Sequence, residues 1–350
     1  MRRSSLWILT VAVLALALAP APAPPRDDDP TSAKAKASIA RAFQWLHAAQ
    51  NHDGSFGDDT RTPGQVGNTC IAVLAMLATG DTLTCGTQCL RIRRAVDWVR
   101  ARVRNYGGGT LDSGTLLQGK LGENVAVYLA ALLYSQILGL GVSPQESREM
   151  QDELGRMTAR IAALQKPSGE WETSYEPMLT TVFAWLALRQ AHDAGVTVHG
   201  ASAEKALQYL ERTCFDKQTG AFREAKWGKQ VRFVSQAGAL RVLYGMDKGN
   251  TPMGQQASKL LLTMRYDQDV GGATGGEEFL AAVLATQAFY FEREGSWRQW
   301  FPRIVNGLTS SQNKDGSWFG RHCITGRVFC TACSALTMLT PEKMLPMVEK

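Results

Sequence analysis

The sequence predicts an all-α protein, a single domain in which six pairs of helices close into an α6/α6 barrel, or toroid. Two observations lead to this prediction. A short polar turn ending in glycine and an aromatic residue recurs about every fifty residues, and such a period indicates a repeat architecture. Between the turns, uniformly apolar helical segments alternate with amphipathic ones, as expected for an inner and an outer layer of helices.

The chain begins with a segment that is typical of exported proteins. Arg2 and Arg3 precede an apolar run, Leu6 to Ala19, that is shorter than a membrane-spanning helix. Residues 1–23 are therefore predicted to be a signal segment, and the Pro- and Asp-rich residues 24–32 a tether. The prediction is export to the periplasm or the cell exterior, with membrane attachment only if this segment stays uncleaved.

The repeated turn is clearest near the C-terminus, as Gln312-Asn-Lys-Asp-Gly-Ser-Trp318. Two further copies keep the glutamine, the glycine and the aromatic residue: Gln50-Asn-His-Asp-Gly-Ser-Phe56 and Gln165-Lys-Pro-Ser-Gly-Glu-Trp171. Weaker copies lie at Asp216–Phe222 and Asp267–Gly272, and a sixth is expected at Tyr106–Gly109, midway between the first two. Six turns divide the chain into six repeats.

Each repeat has room for two helices, one apolar nearly all round and one amphipathic. The predicted inner helices are Val66–Thr79, Asn124–Leu138, Leu179–Ala191, Ser235–Leu243, Glu278–Phe291 and Val328–Leu339. The predicted outer helices are Ala35–Ala49, Leu90–Arg104, Ser147–Leu164, Ala203–Thr213, Met253–Met264 and Trp297–Ser310. Closure into a ring would bury the inner helices on both sides, whereas an open solenoid is the alternative. A closed ring leaves a funnel at the N-terminal ends of the inner helices.

The pattern Gln-x-x-x-Gly-x-Trp at this spacing resembles the repeat of the terpenoid cyclase and protein prenyltransferase superfamily. The matching residues are Gln50, Gly54 and Phe56; Gln165, Gly169 and Trp171; and Gln312, Gly316 and Trp318. The resemblance implies an α/α toroid over residues 33–350 and a structural role for the glutamines and aromatic residues. The C-terminal part is also similar to secreted bacterial repeat proteins of unassigned activity.

Three activities of that superfamily and its relatives can be compared with this chain. Class II cyclases use an Asp-x-Asp-Asp motif, but here Asp27-Asp28-Asp29 lies in the tether and Asp267-Gln-Asp269 continues with valine. Protein prenyltransferases hold zinc with Asp, Cys and His, and the Asp-x-Cys pair before an inner helix is missing. Thioester domains carry Cys-Gly-Glu-Gln, whereas Cys85-Gly-Thr-Gln88 differs in its third residue and follows the first inner helix.

The cysteines support two predictions. Export permits disulfides, and Cys85 with Cys89 is the predicted local bridge, in a loop between helices. Near the last inner helix, His322, Cys330 and Cys333, with Cys323, could bind zinc. The alternative is a disulfide together with a small buried cysteine, since free cysteine is among the most buried residue types. Zinc is therefore a possible cofactor, and no other cofactor is indicated.

Acidic residues at the predicted starts of inner helices are candidate catalytic groups. Glu278, Asp267 and Asp269 are the first choices, and Glu277 and Glu123 lie at similar places. A carboxyl group in an apolar cavity has a raised pKa and can act as a general acid. The alternative is that acidic residues favour the first turn of any helix through its dipole. Glu278 stands out because its helix is the richest in aromatic residues.

Four polar residues at the starts of other inner helices are candidate ligand-binding groups: Asn68, Asn124, Thr181 and Gln236. They could orient a ligand in the funnel, or they could cap the helices. The sequence does not decide between these roles.

The leading functional hypothesis is an exported binding or scaffold module that uses the funnel and lacks class II cyclase chemistry. The alternative is an enzyme, a cyclase, lyase or transferase, that acts on an apolar or polymeric substrate through a carboxylic acid or zinc. The partner would be an apolar small molecule, a peptide or a polymer. The net charge of +6 comes without a long basic run, which argues against a nucleic-acid partner.

Overall fold

The computed structural model describes residues 30–140, 143–172, 174–198, 200–264, 275–292, 295–342 and 344–348. The predicted signal segment and most of the tether lie outside these residues. Within them the α-helices are α1 (Pro30–Ala49), α2 (Val66–Leu77), α3 (Cys89–Val103), α4 (Leu116–Leu121), α5 (Val125–Ile137), α6 (Pro144–Ala163), α7 (Pro177–Asp193), α8 (Ser202–Tyr209), α9 (Phe233–Gly245), α10 (Pro252–Thr263), α11 (Gly276–Glu292), α12 (Gly295–Ser311) and α13 (Arg327–Leu339). No helix in this part of the chain is both long and apolar enough to cross a bilayer.

The helices form two concentric layers that close on themselves. Each inner helix packs against the next in the order α2, α5, α7, α9, α11 and α13, and α13 returns to α2. The outer layer consists of α1, α3, α6, α8, α10 and α12, and α1 contacts both α12 and α13. The α6/α6 barrel predicted from the sequence is confirmed, and the open solenoid is excluded because the last repeat packs against the first.

The composition of each layer explains its place. Every residue of α2 and α5 is buried, because a helix enclosed by two neighbours and an outer layer has no polar face. On α3 only one face is apolar, and Ile92, Val96 and Val99 are buried against the inner layer. This alternation positions the N-terminal ends of the inner helices at one end of the barrel, which is called the mouth below.

The glutamine of each strong turn joins its own turn to the next outer helix. The side-chain amide of Gln50 donates to the carbonyl oxygens of Gly54 and Arg91, both at 3.0 Å. The same pair of bonds runs from Gln165 to Gly169 and Ser202, and from Gln312 to Gly316 and Ser38. The structural role implied by the family resemblance therefore has a physical basis.

The aromatic residue of each turn is tied to the following inner helix. The backbone N–H of Trp171 donates to the Thr181 hydroxyl at 3.2 Å, and that of Phe222 donates to the Gln236 side-chain oxygen at 3.0 Å. Equivalent bonds join Phe56 to Thr69 and Trp318 to Thr331. Thr181 and Gln236, two of the candidate ligand-binding residues, here satisfy buried backbone groups of the turns.

Several local features differ from the predictions. Helix α4 was not predicted, because six residues are too few to show a period; its start carries a capping box of Thr115 and Gln118. The turn Asp216–Phe222 forms a small hairpin of β1 (Phe215–Asp216) and β2 (Ala221–Phe222), although no strands were expected. Helix α1 begins at Pro30, within the predicted tether, as proline is well tolerated in the first turn.

The C-terminal segment blocks the end of the barrel opposite the mouth. The backbone N–H of Met347 donates to the Gln136 side chain at 2.8 Å, and its carbonyl accepts from Arg241 at 3.1 Å. Met347 therefore links α5 to α9, and Leu345 and Val348 are buried beside it. Burial lowers the pKa of Arg241 to about 9, so its guanidinium keeps its charge at neutral pH.

Candidate functional site

The mouth has an acidic rim for structural reasons. The Asp112 carboxylate accepts hydrogen bonds from the N–H groups of Val66 and Gly67, at 2.7 and 2.9 Å, where α2 begins. The same contact occurs in two later repeats, where Glu172 accepts from the N–H of Asn124 and Glu224 accepts from the N–H of Met178. In each case a carboxylate from the following repeat lies at the positive end of a helix dipole.

Within this rim, one lysine joins groups from four parts of the chain. The Lys120 ammonium, on α4, lies 2.8 Å from Glu277 Oε1, 3.2 Å from Glu176 Oε1 and 3.3 Å from Cys323 Sγ. It also lies 3.9 Å from the ring centroid of Tyr175, a cation–π contact. Burial acts to lower the pKa of Lys120, but the two carboxylates outweigh it and raise the pKa.

A second cation, Arg232, lies in the same cluster of charged groups at the mouth. Arg232 forms an ion pair with Glu176, and its guanidinium lies 4.4 Å from the Trp227 ring centroid. Trp227 in turn makes an edge contact with Tyr175 at 5.1 Å between centroids. Lys226 lies 3.8 Å from the Tyr175 centroid on this rim. Buried carboxylates are thus paired with cations, and aromatic rings lie beside these cations.

Glu278, the predicted catalytic residue, lies in this cluster and has an unusual protonation state. Burial, and then the neighbouring charge of Glu277, raise the pKa of Glu278 to about 8, although Arg232 and Lys120 act to lower it. A carboxylic acid therefore lies beside a carboxylate at neutral pH, a combination that suits proton transfer. The other two predicted catalytic residues, Asp267 and Asp269, lie outside the described residues.

The loop before α13 presents an exposed thiol to the cluster. His322 pairs with Gly275 through an isolated bridge, and the Ile324 carbonyl accepts from the N–H of Gly276 at 2.9 Å. Between these anchors, Cys323 has a positive φ of 59°. A β-carbon on Gly276 would lie 2.6 Å from the Ile324 oxygen, so the close approach requires glycine. The His322 Nδ1 atom lies 3.3 Å from the Cys323 sulfur.

A recess of about 280 Å³ opens over these groups. Its lining includes Leu116, Lys120, Tyr175 and Cys323, with Thr115 at the edge. A neighbouring recess of about 390 Å³, beside Asp112, shares Thr115 with it. Small molecules and polymer segments bind in concave sites of this kind, where a few polar groups converge.

One group of side chains at the mouth could hold a metal ion. Ligand atoms of Glu277, His322 and Cys323 lie within 4.8 Å of one another, and carboxylate, imidazole and thiolate are zinc ligands. The Lys120 ammonium already contacts both Glu277 and Cys323, however, and it would repel a dication. Lys120 is therefore the cation of this cluster.

The predicted zinc ligands are not brought together. Cys330 and Cys333 are fully buried on the inner helix α13, and burial raises the pKa of both thiols. The Cys330 thiol donates to the Ile324 carbonyl at 3.8 Å, whereas His322 is exposed on the loop beside Cys323. The prediction of a His322, Cys330 and Cys333 site is wrong, because an apolar inner helix turns its cysteines into the core.

The predicted disulfide is also absent. All seven cysteines are described, and all are free, including Cys85 and Cys89. The Asp81 carboxylate accepts hydrogen bonds from the N–H groups of Thr87 and Gln88, so the loop before α3 has its own support. This side-chain-to-backbone contact is the local reason that the loop holds its shape without a bridge.

The other predicted binding residues have structural partners. Asn68 is buried, and its side-chain amide donates to Asp58 Oδ1 at 3.0 Å and to Gln65 Oε1 at 2.8 Å. Asn124 is buried at the start of α5, where its N–H meets Glu172. Lys120 was not predicted as a site residue. The available signal was a lysine between leucines in the short segment Leu116–Leu121.

Comparison with known proteins shows the fold. No family model matches the sequence, and no curated protein matches it. Among solved structures, the type II terpene cyclase MstE from Scytonema has a TM-score of 0.57 at 15% identity, over 89% of this chain and 100% of that one. The α-1,6-mannanase GH76A from a Salegentibacter species has a TM-score of 0.57 at 8% identity, over 90% of this chain and 99% of that one. At these identities the similarity shows the α/α toroid alone.

Proposed function

We propose that this chain is an exported α/α-toroid domain that binds a segment of a polar polymer or peptide at the barrel mouth, without class II cyclase chemistry. The observation that carries the proposal is the Tyr175 ring, which is 42% exposed and lies over the buried Lys120 ammonium in the mouth recess. An exposed aromatic face beside fixed polar groups is suited to a ligand that is itself polar.

The carboxylates that surround Lys120, which lines the recess, favour a polar ligand over an isoprenoid chain. Glu176 and Glu277 are fully buried, and an apolar ligand would remove water from the Lys120 cluster without replacing its hydrogen bonds. Neither Glu277 oxygen has a hydrogen-bond partner among the described residues, although Oε1 forms an ion pair with Lys120. The surroundings of Lys120 are thus polar, and a polar ligand suits them better than an apolar one.

Binding measurements on a mixed ligand panel test this proposal. Oligosaccharides, lysine-rich peptides and geranylgeraniol are titrated against the parent protein and Tyr175→Ala. We expect binding of a polar ligand, weakened about fivefold by Tyr175→Ala because an aromatic contact contributes about 1 kcal/mol. The control is Leu90→Ala, an exposed side chain on the outer helix α3, which should leave binding unchanged. Binding of geranylgeraniol alone, unaffected by Tyr175→Ala, would contradict the proposal.

An enzyme is the second candidate function, favoured by Glu278. A neutral carboxylic acid beside a carboxylate can donate a proton to a leaving group of the bound polymer. We expect Glu278→Gln to reduce turnover of a ligand identified above by about 10²-fold or more while its affinity is retained. Full turnover in Glu278→Gln would exclude Glu278 as the proton donor.

A further inference from the structure

We propose that Cys323 is a nucleophile that accepts an acyl group from an ester or thioester, with His322 as its base and Lys120 as the hydrogen-bond donor to the oxyanion. The proposal takes from the proposed function only the location of the ligand, in the mouth recess that Cys323 lines. It requires neither the proton of Glu278 nor the binding of a polymer.

The contacts of Cys323 are those of an activated thiol. The residue is exposed, His322 Nδ1 lies 3.3 Å from its sulfur, and Lys120 Nζ lies 3.3 Å away on another element. A nucleophilic cysteine requires a base within hydrogen-bond reach and a cation that stabilises the thiolate. The backbone anchors on either side of Cys323 hold it at its positive φ, so the thiol is kept at the recess.

The Lys120 ammonium can donate a hydrogen bond first to the sulfur and then to the oxyanion. In the resting state the ammonium donates to the sulfur and forms ion pairs with Glu176 and Glu277. When the sulfur attacks, negative charge moves from sulfur to the carbonyl oxygen, and the donor that faced the sulfur can turn to that oxygen. A hydrogen-bond donor to the developing oxyanion is usually the largest stabilising interaction in acyl transfer.

The atoms and electrons balance in two steps. His322 takes the thiol proton, sulfur forms a bond to the carbonyl carbon, and the π electrons become the oxyanion. When the intermediate collapses, the bond to the leaving alcohol or thiol breaks, and that group takes the proton from His322. The product is an acyl thioester on Cys323, which water or an amine cleaves by the reverse sequence.

Glu277 supplies an independent indication that a donor-bearing molecule belongs here. The residue is fully buried, it lies within the group that includes the Cys323 sulfur, and its Oε2 atom has no hydrogen-bond partner among the described residues. An unsatisfied buried carboxylate oxygen costs free energy that a bound N–H or O–H group would recover.

Alkylation rates test the nucleophile without any knowledge of the ligand. The whole protein is treated with iodoacetamide, and the modified peptides containing Cys323 and Cys85 are followed by mass spectrometry in the same sample. Cys85 is the matched reference, because it is the other exposed cysteine of the seven. We expect Cys323 to react about tenfold faster than Cys85, and His322→Ala, on the exposed loop, to remove most of this difference. Equal rates at the two cysteines, or no effect of His322→Ala, would overturn the proposal.

Acyl transfer is tested with p-nitrophenyl acetate. We expect a burst of one p-nitrophenolate per chain and an acetyl group on Cys323, both lost in Cys323→Ser and retained in Cys85→Ser. Lys120→Met should slow the burst in protein whose circular dichroism matches the parent. Absence of acetyl-Cys323 in the parent would refute acyl transfer. Because this experiment contains no polymer ligand, its result is independent of the Tyr175 binding test.

Discussion

Glu278 is uncharged at neutral pH although two cations lie near it. Arg232 and Lys120 are already committed to Glu176 and Glu277, so burial and the charge of Glu277 dominate the environment of Glu278. A third carboxylate in this cluster would lack a partner, and the proton is retained instead. The residue is thereby a source of pH-dependent stability as well as a candidate proton donor.

Replacement of Glu278 by glutamine should change how stability depends on pH. Folding raises the pKa of this carboxyl from 4.5 to about 8, so its contribution is fully present below about pH 4.5 and is lost as pH rises through 8. Relative to Glu278→Gln, the parent should lose about 4 kcal/mol of unfolding free energy between about pH 5 and about pH 9. Urea unfolding at both pH values measures the difference.

The control for this prediction is Glu123→Gln, which changes an exposed glutamate near the start of α5. Its pH dependence should follow that of the parent. If the unfolding free energies of Glu278→Gln and the parent depended on pH in the same way, Glu278 would be ionised in the folded protein.

Only some of the residues at the mouth could be predicted from the sequence. Glu278 could be predicted, because an acidic residue at the start of an apolar helix is visible along the chain. The surrounding ion pairs of Glu176 with Lys120 and Arg232 could not be predicted, since these residues come from different repeats and meet only when the ring closes. The environment of Cys330 and Cys333 could not be predicted, because cysteine is chemically versatile and its burial depends on which helix face points inward.

At the scale of elements, the repeat turn fixes how each outer helix meets the next. The turn at Gly169 has a φ of 105°, and a β-carbon there would lie 2.3 Å from the Lys205 carbonyl oxygen on α8. Glycine is thus required twice, for the backbone conformation and for the contact. Helices with a strong apolar period were predictable to within a few residues, whereas α4 was not.

Gly169→Ala should therefore destabilise the protein more than an alanine at another positive-φ glycine. We expect a loss of about 3 kcal/mol, the sum of backbone strain and a steric overlap that moves α8. Gly195→Ala is the matched control, since its φ is 86° and its β-carbon would have no atom within 4 Å among the described residues. That variant should lose only about 1 kcal/mol. Equal losses in denaturant unfolding would show that the contact with α8 is unimportant.

At the scale of the whole molecule, the barrel is closed by two contacts that no local pattern reveals. The first helix packs against the last repeat, and the C-terminal segment fills the end opposite the mouth. Met347 connects to Gln136 and Arg241, far away in sequence, so the C-terminal segment links two inner helices at this end of the ring. The sequence could predict the number of repeats, but the role of the last residues required the packed structure.

A pair of methionines tests the contribution of this segment. Met347→Ala should lower the unfolding free energy by about 3 kcal/mol, because a buried side chain is removed and a cavity is left. Met344→Ala, three residues earlier and half exposed, should cost far less. Thermal unfolding of both variants compares them, and an equal effect would indicate that the segment does not hold the barrel end.

The blocked end also leaves the barrel accessible from one side only. A polymer could pass through a ring that is open at both ends, but here a ligand must enter and leave at the mouth. A polymer ligand would therefore bind through one of its ends or through a side branch, and it would not pass through the ring. Departure of one guest would then have to precede arrival of the next, so residence time at the mouth would limit how often the domain can be reused.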